Sequence, residues 1–101
     1  MTKRIRPLAI VVDSDFGVLS TAVRIAADAQ YQVIGRLSPR GLTDLAGALH
    51  PELVLLGVPF WDQGWGSLFR TESPETLVFP LDEPRLGRLP QLLTARPAEV
   101  A

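Results

Sequence analysis

Four short apolar runs divide the chain: LAIVV at 8–12, YQVIGRL at 31–37, LVLLGV at 53–58 and TLVFP at 76–80. The first and third have almost no polar interruption, the pattern of strands covered on both faces in a parallel sheet. Between the runs the period changes. Leu19, Ala22, Val23 and Ala26 recur at i, i+3, i+4, i+7 and predict an amphipathic helix over about 16–29, capped by Ser14 or Asp15. Leu42, Leu45, Ala46 and Leu49 repeat the stripe, with Ser38 as the expected N-cap, Pro39 at the first helical position and Pro51 as the stop.

The second half is less regular. PFWDQGWGSLFRTESPE (59–75) carries four aromatics and no clean period, and GSLFRTES offers at most a turn or two of helix. DEPRLGRLPQLL (82–93) predicts a last helix with Leu86, Leu89, Leu92 and Leu93 on one face. Pro84 fits its first turn, and Pro90 should kink or break it. Strands alternating with one-sided helices define the α/β class, with parallel strands joined by right-handed crossovers and helices on both faces.

Composition narrows the function classes. At 101 residues the chain is expected to be a single domain over 1–101, with 1–7 and 95–101 as flexible ends. Ten basic against eleven acidic residues give a formal charge of −1, which argues against a dedicated nucleic-acid binder; Lys3, Arg4 and Arg6 read as a solvated leader. Without cysteine there is no disulfide and no thiol chemistry. Leu8–Val12 is too short for a signal-peptide core, and no run approaches the ~20 apolar residues of a membrane span, so a cytoplasmic location is expected. Nine arginines to one lysine, with abundant Ala, Gly, Pro and Leu, suggest a GC-rich bacterial genome.

Candidate chemistry is sparse. His50 is the only histidine, so any Ser-His-Asp triad must use it; its place before Pro51 reads as a helix C-terminus, where histidine suits the dipole. Asp13 and Asp15 lie where open α/β sheets bind ligands, and either hold a divalent ion weakly or cap the first helix. DQGWG lacks the lysine of a phosphate cradle, and its glycines read as turn residues. The cluster Phe60, Trp61, Trp65 and Phe69 supports two readings: a filler that covers the sheet, or a partner-binding surface in which the tryptophans anchor another protein.

In order and spacing, LAIVVDSD, HPELVLLG and FPLDEPRLGRLPQLL resemble the response-regulator receiver domain, over residues 8–58 and 76–93. LAIVVDSD matches its first strand with the acidic pair, HPELVLLG the approach to the phospho-accepting aspartate, and FPLDEP the Lys-Pro segment. The departures fall on the chemistry. The acceptor position is Gly57, the second member of the metal-holding acidic pair is Ser14 beside Asp13, and the lysine position is Phe79. Carboxylate attack on a phosphoryl donor needs the nucleophile, a Mg²⁺ held by carboxylates and a cation for the developing charge. The family has about fifty residues between acceptor and lysine where this chain has 22, so one βα unit is missing.

The resemblance therefore implies a four-stranded open sheet of order 2-1-3-last, with the last strand beside the third or an edge left exposed. It also implies a cis Phe79–Pro80 bond, with trans left open by the rebuilt loop. The function expected is a pseudo-receiver that is not an enzyme, holds no cofactor or metal, and binds a protein partner (a kinase, a regulator or itself) in bacterial signalling. Its interaction face would be the 59–75 segment with the last helix, and a homodimer through that side is expected. Two alternatives stand: a constitutive dimerisation or assembly subunit, and a binder of a small ligand or metal at the strand ends.

Overall fold

The computed structural model describes residues 6–94. The expectation of flexible ends falls on residues that lie mostly outside this range. In chain order the elements are β1 (Leu8–Val12), α1 (Phe16–Asp28), β2 (Gln32–Arg36), α2 (Leu42–Leu49), β3 (Leu53–Gly57), α3 (Val58–Asp62), α4 (Trp65–Glu72), β4 (Leu77–Leu81) and α5 (Glu83–Thr94). The strands form one open, all-parallel sheet of order β2-β1-β3-β4, so the last strand lies beside the third.

Strand alternation splits the core into two layers. Ala9, Val11, Leu53, Leu55 and Leu81 face one side, where Leu19, Ala22 and Ala26 of α1 and Leu89 and Leu93 of α5 cover them. Ile10, Val12, Val54, Leu56 and Val78 face the other, under Leu42 and Ala46 of α2 and Phe69 of α4. The handedness rule accounts for this division. From β1 the chain steps outward to β2, from β3 it steps the opposite way to β4, and right-handed crossovers then place α1 and the α3–α4 pair on opposite faces. Thr76 ties the starts of the two right-hand strands, its Oγ1 donating to the Pro51 carbonyl at 2.9 Å.

The cap of α1 is Asp15, whose Oδ1 accepts from the Gly17 and Val18 N–H groups at 2.9 and 3.2 Å. Asp15→Ala is expected to lower stability by about 1 kcal/mol, because those donors lose their partner at an exposed helix start. A chemical-denaturation midpoint measures it, and an unchanged midpoint would show that water replaces the carboxylate without loss.

Five expectations are corrected. Ser38 and Pro39 do not open α2. Gly41 is its N-cap, at φ 72° in the left-handed region, so the helix cannot extend upstream of it. Ser38 instead caps a preceding turn, its Oγ accepting from Arg40 N–H at 3.2 Å. The segment after β3 is more helical than its irregular pattern predicts: α3 follows directly, with Pro59 in its first turn, and α4 makes two turns.

Pro90 lies inside a continuous α5. It sits on the exposed face, while buried Leu89 and Leu93 on either side hold the helix to the sheet. Leu92, expected on the covered face, is exposed. The Phe79–Pro80 bond is trans. β4 continues through it, with Pro80 opposite Leu56 and Leu81 opposite Gly57, which keeps the backbone extended.

Candidate functional site

A cleft of about 330 Å³ opens at the carboxyl ends of β1, β3 and β4, lined by Asp13, Ser14, Asp15, Val58, Pro59, Leu81 and Asp82 among others. It lies at the switch point of the sheet, between β1 and β3, where the chain leaves in opposite directions. The acidic pair of the sequence is thus brought to the place where α/β sheets bind ligands.

Within the cleft the decisive contact is between Asp13 and Gly57. The Asp13 side chain is 7% exposed, and its Oδ1 accepts from the Asp15 N–H at 2.8 Å. A Cβ placed on Gly57 would stand 2.8 Å from Asp13 Oδ2 and 2.9 Å from its carboxyl carbon. At the end of β3 the Asp13 carboxylate occupies the space that a side chain on residue 57 would enter. Both groups cannot occupy it with Asp13 in this rotamer.

The position matched to the lysine fares differently. Phe79 pairs with Leu55, two residues short of the strand end, and packs into the α1–α5 layer. The residue opposite Gly57 is Leu81, and Leu81 and Asp82 are the ones that line the cleft. Ser14 is exposed at the rim. Among the described residues, no three His, Cys, Asp or Glu side chains are grouped to hold a metal ion. His50 is the C-cap of α2, at φ 51°, and precedes β3. Ser14 follows β1, so a strand length of about 17 Å separates the two and no triad joins them.

The aromatic cluster belongs to a different surface. The α3–α4 pair spans the step from β3 to β4 and covers the sheet there. Phe69 is 1% exposed in the α2-side core, and Phe60, Trp61 and Trp65 pack partly buried against it. Trp61 is held within the pair. A Cβ on Gly66 would meet its ring at 2.6 Å, and the Arg70 guanidinium lies 5.1 Å from a ring centroid. The glycine at 66 thus permits α4 to close on the indole. Phe69 has no surface to offer a partner, Trp61 is braced by its own helices, and Trp65 keeps a partly open face beside exposed Leu68.

Sequence reasoning located the acidic pair and offered the covering role as one of two readings of the aromatics. It missed the Asp13–Gly57 contact, whose only trace is the coincidence of an aspartate after one apolar run and a glycine within another. No helix among the described residues is long and apolar enough to cross a membrane. No protein-family model, curated protein or solved structure matches this chain.

Proposed function

We propose that this chain is a non-phosphorylatable, receiver-like interaction module of bacterial signalling, working in the cytoplasm and binding another protein without performing chemistry. The observation that carries the reading is the contact at Gly57. A receiver requires a nucleophilic side chain there, and the space is taken by Asp13. The order of the DSD, HPELVLLG and FPLDEP segments along β1, β3 and β4 supports the receiver-like part. The partner face is the outer side of α3–α4 with α5, where Leu68 and Leu92 are exposed apolar groups and Trp65 is partly open.

Incubation with acetyl phosphate and Mg²⁺ followed by intact-mass measurement tests the chemical half. No phosphoryl adduct is expected, and a stoichiometric adduct would overturn the reading. For the interaction half, tagged wild-type chain is compared with Trp65→Ala after both are shown to melt alike. A protein held by wild type and released by the variant supports the module. A chain that captures only itself favours the second reading, constitutive self-association, for which the unequal edges of the sheet argue.

A further inference from the structure

We infer that the free edge of β2 is a self-association surface, on which a second copy of this chain adds its own β2 antiparallel across a two-fold axis at Ile34. This rests on the self-association reading above and places the contact on the sheet edge opposite the α3–α4 face. The argument starts from which backbone groups point outward. On β2, Gln32 N–H donates to the Pro7 carbonyl and the Arg36 carbonyl accepts from Asp13 N–H, so Gln32, Ile34 and Arg36 face β1. Val33 and Gly35, between them, turn both N–H and C=O to the open side. On β4, Leu77 N–H donates to the Glu52 carbonyl, so Leu77, Phe79 and Leu81 face β3 and Val78 and Pro80 face outward.

The two edges are therefore unequal. Pro80 has no N–H, and it stands on the open side of β4, the place where proline blocks strand addition. β2 carries no such device. It has no proline, its register with β1 is unbroken from Leu8–Gln32 to Val12–Arg36, and its one charged side chain is turned to its own loop, Arg36 Nη2 donating to the Arg40 carbonyl at 3.2 Å.

Ile34 is the middle of the strand, so a two-fold there overlaps all of it. Val33 then opposes Gly35 of the second copy in both halves, and each such pair exchanges two backbone hydrogen bonds. Arg36 meets the neutral Gln32, with no like charges opposed, and half-buried Ile34 packs on its own symmetry mate. Closure follows from the same asymmetry. A β2-to-β4 contact would propagate into a filament, and Pro80 blocks it, leaving the closed pair whose eight-stranded sheet ends in a proline at both edges.

The absence of cysteine makes the register directly testable. Ile34→Cys brings two thiols into a non-hydrogen-bonded pair about 4.5 Å apart at Cα, within disulfide range. Gln32→Cys puts them about 13 Å apart, beyond it. Expected results are a light-scattering mass of twice 11.0 kDa for wild type, a covalent dimer on mild oxidation of Ile34→Cys, and none for Gln32→Cys. Val33→Pro, which removes an outward N–H and replaces a side chain packed against the α1-side core, should halve the mass while still melting as a folded chain. Should wild type be dimeric while Ile34→Cys fails to cross-link, the β2 edge is overturned and self-association survives elsewhere. A monomeric wild type at sub-millimolar concentration overturns both.

Discussion

Gly57→Asp is expected to lose about 3 kcal/mol of folding stability, although it installs the residue type that the proposed receiver likeness would place there. The new Cβ would begin 2.8 Å from Asp13 Oδ2. Asp13 must then rotate away, breaking its bond to Asp15 N–H and leaving two carboxylates at one strand-end site. Overpacking of this kind costs about 1–3 kcal/mol, and a second, unpaired charge adds to it. A urea-midpoint series separates the terms. Gly57→Ala introduces only the steric part and should cost about 1–3 kcal/mol in the wild-type background. In an Asp13→Ala background it should cost less, with a coupling of order 1 kcal/mol between the two sites. Equal effects in both backgrounds would show that the carboxylate does not occupy the space above Gly57.

The largest single loss is expected at Phe69→Ala, about 3–5 kcal/mol. Phe69 is the bulkiest of the fully buried side chains, enclosed between α4 and the α2-side layer of the sheet, and truncation leaves a cavity its neighbours cannot fill without moving whole helices. Against a total stability of about 5–15 kcal/mol for a small domain, this removes a large fraction. The melting temperature should fall by roughly 20 °C, at several degrees per kcal/mol for a chain of this size. Trp65→Ala removes a partly exposed ring and should cost clearly less. A loss below about 1 kcal/mol for Phe69→Ala would contradict the packing of α4 against the sheet. The contrast separates the aromatics by burial: Phe69 builds the core, whereas Phe60, Trp61 and Trp65 are only partly buried.

Much of the fold was legible along the chain because burial imposes a period on sequence. The runs at 8–12 and 53–58 and the stripes from Leu19 and Leu42 predicted the strands and helices within a few residues, and the resemblance to a receiver, shortened between Gly57 and Phe79, implied a sheet of four strands. The misread boundaries have local causes. Ser38-Pro39 is a sound helix-start signal, but Gly41 in the left-handed region supersedes it three residues later. Pro90 is a sound breaker, but buried leucines on both sides of it hold the helix to the sheet. The segment 58–62 has no helical period of its own and becomes helical as α3, where Phe60 and Trp61 pack onto the core.

What the amino-acid sequence determined by itself is the class of the fold, the lack of an aspartate at position 57 and the lack of cysteine and metal-binding histidine chemistry. These depend on residue type and on periodicity, which local sequence carries. Tertiary structure alone decided that the Asp13 carboxylate fills the space beside Gly57, that Phe79 lies below the cleft while Leu81 reaches it, and that Pro80 stands on the open side of one edge while Val33 and Gly35 face the open side of the other. Each depends on which strand lies beside which, and in what register. Hydrogen-bond direction and steric conflict between residues 13 and 57 arise only when β1 and β3 are paired.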